Sequence, residues 1–297
     1  MSRKHLPILI IAGLLLSFAI SPIQANPSGT IGLRIMADEA LKLSNLDQFD
    51  GKMIDYGSFL WLIPTPGDLT LIRNAGVSYQ LVDDPYRLSL GGKSADPLVS
   101  APIFVENAKE KLTASGEGLH LVQFYGPTKA EWLETLENNR VSIIQYIHPF
   151  TYVVWGDLTV MKDVTNQAPV RWSGAFAHSY ALPEQFITQD NVPIKVRAMS
   201  IPQAGLDSIL QSIVDLGGQN IAANSTADPV FDLITFSIPG GQLENIAALP
   251  GIYAVQPIST SGGDRGELSS QVNVNNYDGT NRAFTGYMAW LDAVDLS

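Results

Sequence analysis

One hydrophobic pattern recurs three times along the chain: Trp61, Leu71 and Val77; Val154, Val164 and Val170; Phe236, Ile246 and Ile252. In each copy the second residue follows the first by ten positions and the third by sixteen. β-Like runs at Ser58–Ile63, Tyr152–Gly156 and Leu233–Ile238 open the copies, and Val77–Val82, Val170–Phe176 and Ile252–Gln256 close them. A short Leu/Ile/Val-bearing stretch lies between, so each copy predicts strand–helix–strand. A spacing of about 80–90 residues is too long for a solenoid, which makes the copies successive small domains or halves of domains. Three copies of one scaffold seldom build a single enzyme pocket.

The second copy is the fuller one. Leu119–Phe124 predicts a strand, Gly126-Pro127-Thr128 opens a helix with Trp132, Leu133 and Leu136 on one face, and Val141–Ile147 predicts a second strand. With the repeated half this gives β-α-β-β-α-β over Leu119–Phe176, an α+β fold of ferredoxin-like order: an antiparallel four-stranded sheet with two helices on one face. The third copy repeats it through Ile194–Met199, helix Ala204–Leu216, Gln219–Ala223, Leu233–Ile238, helix Gln242–Leu249 and Ile252–Gln256. The first, Met53–Tyr86, reads as half a unit, with Asp68 placed after Pro64-Thr65-Pro66-Gly67 to cap a helix. Ahead of it, Ala37–Leu46 predicts a short helix, and Arg87–Gly118, with Gly91-Gly92, Pro97 and Pro102, reads as a linker. The expected organisation is a signal peptide at 1–25, an N-terminal segment at 26–86, a linker at 87–117, tandem domains at 118–185 and 192–258, and a closing linker at 259–297.

Arg3 and Lys4 precede an apolar run from Leu6 to Ile20, followed by Ser21, Pro22 and Ala25. That is the layout of a secretory signal cleaved between Ala25 and Asn26, and the run is short for a membrane anchor, so the chain is expected outside the cytoplasm without a stable membrane anchor. Losing those two basic residues leaves 16 Lys+Arg against 29 Asp+Glu, a formal −13. Such acidity argues against nucleic acid as a partner. The absence of cysteine excludes disulfides, thiol catalysis and thiolate metal sites together.

Catalytic and ligand motifs are sparse. His120, His148 and His178 have no His-Glu-x-x-His frame, there is no Gly-x-Ser-x-Gly elbow or P-loop, and no calcium-loop spacing occurs among the acids. Neither a metal nor a cofactor is expected. Asn224-Ser225-Thr226 is a formal glycosylation sequon that reads first as a surface turn. Trp61 and Trp132 fall on the predicted core faces, whereas Trp155 falls opposite Val154 on the uncovered side.

Leu121-Val122-Gln123-Phe124-Tyr125-Gly126-Pro127, Trp132, and the pair Tyr146-Ile147 and Tyr152-Val153-Val154 resemble the propeptide of large secreted bacterial subtilisin-like serine proteases. Leu249-Pro250-Gly251-Ile252 with Val255-Gln256-Pro257 is similar to an inhibitor-type domain placed just ahead of a protease, and Ala289-Trp290-Leu291-Asp292 to the lead-in of the catalytic module. The resemblance implies a monomeric chaperone and inhibitor of a cognate subtilisin-like protease domain, itself without catalytic residues, because the Asp, His and Ser segments of such enzymes do not occur in this sequence. By strand alternation, Leu233, Thr235, Tyr253 and Val255 should form the protease-docking face, and Pro257, Ile258, Ser259 and Thr260 the tail that enters the substrate cleft. A free-standing exported binding or adhesion protein of the same modules is the competing expectation.

Overall fold

The computed structural model describes residues 30–43, 48–99, 113, 116–167, 169–224, 230–258 and 291–292; the expected signal peptide lies outside them. The first unit comprises β1 (Ile31–Met36), α1 (Ala37–Ala40), β2 (Lys52–Asp55), β3 (Phe59–Ile63), α2 (Pro66–Asn74) and β4 (Gln80–Asp83), with sheet order β2-β3-β1-β4. A hairpin, β5 (Leu88–Leu90) and β6 (Lys93–Ala95), follows. The second unit contains β7 (Glu117–Phe124), α3 (Ala130–Asn138), β8 (Ser142–Ile147), β9 (Thr151–Asp157), α4 (Leu158–Thr165) and β10 (Val170–Ala175), ordered β10-β7-β9-β8. After α5 (His178–Ala181), the third unit contains β11 (Pro193–Ser200), α6 (Leu206–Asp215), β12 (Gln219–Asn224), β13 (Asp232–Pro239), α7 (Leu243–Ala247) and β14 (Ile252–Pro257), ordered β12-β13-β11-β14. Neighbouring strands are antiparallel throughout, so the protein is mixed α+β built on antiparallel sheets.

The first copy of the sequence pattern is a whole unit rather than half of one. Its missing first strand is β1, where Leu33 and Ile35 turn inward while Arg34 and Met36 face out. Gly32 and Arg34 interrupt the apolar run, and the four-residue α1 is too short to show helical periodicity. The copy is also out of step by one residue. Leu62 and Ile72, again ten apart, are the buried pair on the helix side, whereas Trp61 projects from the opposite face of the sheet. Because side chains alternate along a strand, a slip of one position exchanges the core face for the open one.

The expected linker at 87–117 carries the β5–β6 hairpin. Its Gly91-Gly92 turn has both glycines at positive φ, the conformation that tight hairpins favour. Leu88 and Ala95 of the hairpin join Leu119, Leu121, Val153 and Trp155 from the second sheet, Phe176, Ala181 and Leu182 from the connector, and the core of the third unit in one apolar cluster. Trp155, expected on an uncovered face, is therefore only 3% exposed. The other face of this sheet packs on its own helices through Val122, Phe124, Val154, Met161 and Val164.

Two buried polar side chains set conditions on this packing. Asp68 closes the start of α2 as part of a reciprocal cap with Thr65, accepting from the Thr65 amide at 2.8 Å, and it accepts from the amides of Gly51 at 2.9 Å and Asp50 at 3.0 Å. Burial raises its carboxyl, but these donors outweigh that effect and hold it below the ordinary carboxylate value. His120 lies on β7 beside α4, buried, with Nε2 lacking a partner and a cavity of about 160 Å³ next to it. Burial lowers its pKa from the ordinary 6.5, opposed by the Gly156 backbone and by the charge of Asp157.

Asp68→Ala should cost about 2–3 kcal/mol in denaturant unfolding, because it strands several buried amides that now bind a charge. For His120 the unfolded state binds its proton at a higher pH than the folded state does. Stability should therefore be level above pH 6.5 and fall as pH drops below it. The urea midpoint followed from pH 7.5 downward should show this fall, and His120→Gln should remove most of the slope in that window even if it lowers the midpoint at every pH.

Candidate functional site

The third sheet has a helix-free face that the rest of the described chain leaves largely uncovered. Cross-strand register places Ala222, Thr235, Arg197 and Gln256 in one row, and Asn224, Leu233, Met199 and Ala254 in the next. Lys195 stands beside Ser237 in a third row, so Lys195 and Arg197 are the charged positions of these rows. Leu233 is 38% exposed, high for a leucine in a strand. Two of the four expected docking residues, Leu233 and Thr235, thus lie on this face.

Tyr253 and Val255 do not. The register between β11 and β14 shifts between Met199 and Ser200, where one extra residue of β14 is accommodated. Strict alternation from Ile252 would turn Val255 outward. The bulge resets the alternation, so Val255 is buried opposite Ala198 on the helix side. Tyr253, in the bulge, stacks on Phe176 at 5.5 Å between ring centroids and packs against Phe231 at 4.8 Å. It belongs to the junction between the second and third units.

The expected cleft-binding tail also begins later than the sequence suggests. Pro257 is the last residue of β14, opposite Val196, and the Ile258 amide donates to the Lys195 carbonyl at 2.7 Å. Both residues are tied to the sheet. Ser259 and Thr260 lie outside the described residues.

A second cluster, absent from the sequence-based expectations, joins the first and second units. The Tyr125 carbonyl accepts from Trp61 Nε1 at 2.8 Å and from the Tyr86 hydroxyl at 2.6 Å, and the Tyr56 hydroxyl donates to the Pro127 carbonyl. Gly126 is required here, since a Cβ would come within 2.8 Å of the Trp61 ring. Gly126-Pro127-Thr128, read from sequence as a helix start, instead belongs to the loop that docks on the first unit; α3 begins at Ala130. Below it, Arg171 makes a two-pronged ion pair with Asp96 at 2.9 and 2.7 Å, donates to Gln123 at 2.9 Å, and lies 3.8 Å from the Tyr86 ring centre. Burial pushes the Tyr86 hydroxyl upward, with Arg171 opposing it. The signal for this cluster was the Trp-and-Gly pairing, legible only once Trp61 is known to face outward.

Where the two units meet, a groove of about 390 Å³ opens. Arg34, Phe59, Trp61, Gln80 and Val82 line it from the first sheet, and Pro127 and Phe150 from the second unit. The Trp61 and Phe150 rings meet edge-to-face at 5.4 Å, and the Arg34 guanidinium lies 4.4 Å from the Phe59 ring centre. As for the remaining histidines, His148 is exposed between β8 and β9 and His178 is half-buried at the start of α5. Among the described residues no group of three or more His, Asp or Glu side chains converges as a metal site would require, and no helix is long and apolar enough to cross a membrane.

Comparison with known proteins adds one finding. A family model described as "Domain of unknown function (DUF8729)" matches residues 89–177, which run from the β5–β6 hairpin to the end of the second unit, and no curated protein matches the chain. The matched segment joins the hairpin to the sheet that it covers.

Proposed function

We propose that this chain is the non-catalytic pro-region of an exported subtilisin-like serine protease, acting in cis or in trans as a folding chaperone and inhibitor of that enzyme. In this reading each strand–helix–strand–strand–helix–strand unit is ferredoxin-like, and the third is the one that engages the protease. The observation that carries it is the placement of an open sheet face beside the point where the chain leaves its last strand. Leu233, Thr235, Met199 and Arg197 share that face, and the chain continues past Ile258 from the adjacent edge. A sheet face supplies area while an extended segment supplies backbone hydrogen bonds along a substrate cleft. Binding the native enzyme and not its unfolded chain stabilises the former by mass action, so one contact surface serves both inhibition and folding. Lys195 and Arg197, on an otherwise acidic protein, favour an acidic patch on the partner.

Two outcomes test the proposal. The purified chain from Asn26 to Ser297 should hydrolyse no peptide or ester substrate; turnover that persists through repeated purification and tracks with the protein would overturn it. Against a cognate subtilisin-like protease, a chain ending at Asp264 should inhibit at least about tenfold more tightly than one ending at Ile258, a difference of about 1.4 kcal/mol. The second end point leaves the β14 ladder complete, so the comparison isolates the tail from sheet damage. Equal inhibition by both would assign binding to the sheet face alone, and no inhibition by either would remove the inhibitor reading.

A further inference from the structure

The groove between the first sheet and the second unit is not used by the proposed docking face, which lies on a different sheet. Its floor exists because Gly32 has no side chain: a Cβ there would come 2.7 Å from the Trp61 ring, which lies across β1 at that point. The indole is held by its bond to the Tyr125 carbonyl, so the floor and the Phe150 wall are fixed before anything binds. Preformed, largely apolar clefts of this size at domain junctions, with a few placed polar groups, are the usual form of small-molecule sites.

The polar side chains of the lining are those of Arg34 and Gln80, with the Trp61 indole N–H already committed to Tyr125. Arg34 stands directly across from Trp61 on β3 and from Gln80 on β4, giving a row of indole, guanidinium and amide across three strands. The guanidinium lies over the Phe59 ring, and among the described residues it has no carboxylate within ion-pair distance. Among the described residues no Asp or Glu lines the groove, although the chain holds 29 acids against 18 bases. An arginine without an ion-pair partner offers a planar fork of donors that is matched by a carboxylate, and its place over the Phe59 ring restrains the side chain before anything binds. The aromatic surfaces of Trp61 and Phe150 favour a ring over a flexible alkyl body, since rings add edge-to-face contact to the area that they bury.

We infer that this groove binds a carboxylate carried on an aromatic body, with Arg34 and Gln80 holding the anion and Trp61, Val82 and Phe150 enclosing the ring. The same chemistry is offered by a free aryl acid and by the C-terminal aromatic residue of a cleaved peptide. The volume admits one such residue.

Titration calorimetry of the full exported chain decides it, with phenylacetate and its amide as one pair and N-acetyl-Gly-Phe with a free or amidated C-terminus as the other. Saturable binding of at least one acid is expected, weakened at least about tenfold by amidation, by Arg34→Gln and by Phe150→Ala. Whichever acid binds more tightly identifies the source. Arg34 is exposed, so Arg34→Gln should keep the circular dichroism and unfolding midpoint of the parent; Arg34→Lys, which keeps charge but not the fork, should bind between the two. Absence of saturable binding by both acids, equal binding of acid and amide, or binding indifferent to Arg34→Gln in a folded variant would each overturn the assignment.

Discussion

A four-stranded sheet with helices on one side has a second side that must be covered, left polar, or given to a partner, and the three four-stranded sheets among the described residues meet that constraint in three ways. The second sheet is covered: Leu119, Leu121, Val153 and Trp155 are buried under the hairpin and the connector. The third presents a mixed face of Thr, Ser, Arg, Lys and a partly exposed Leu. The first is intermediate, with its outward Trp61 clamped to the second unit and a groove left alongside. Most of what distinguishes the units follows from the treatment of that one face.

The two junctions differ in physical character. The second and third units meet through apolar side chains of a shared core, including the Phe176–Tyr253 stack. The first and second meet through directed bonds, in which one backbone carbonyl at Tyr125 receives two aromatic donors and Arg171 links the hairpin to β7 and β10. A largely buried ion pair such as Arg171–Asp96 adds little net stability because desolvation offsets its attraction, but removing one partner leaves a charge uncompensated. Its effect is to fix where the hairpin sits.

How much of this was legible in the sequence divides along the same line. In the second and third units the alternation of apolar residues and the helical spacing place every strand and major helix within a few residues, since Val154, Val164, Phe236, Ile246 and Ile252 all pack inward. The first unit resisted because Leu60, Trp61 and Leu62 are all apolar, so alternation could not say which of them faced the helices. Val255 was misplaced because a bulge has no sequence signature here and reverses every later position in its strand. Neither the groove nor the Tyr125 acceptor could be foreseen, because both are made by residues far apart in sequence that come together only after the units dock.

The shared core of the second and third units also bears on how the molecule can be taken apart. Residues between Leu182 and Pro193 form the only covalent path between those units, yet the apolar surfaces on either side of it are buried against each other. Cleavage of that path would yield two fragments held in one piece, and neither could diffuse away without exposing Trp155, Phe176 and their neighbours to water. Cleavage there would leave the packing of the shared core unchanged. Release of the third unit requires an event that separates the hydrophobic surfaces, not one that merely cuts the chain.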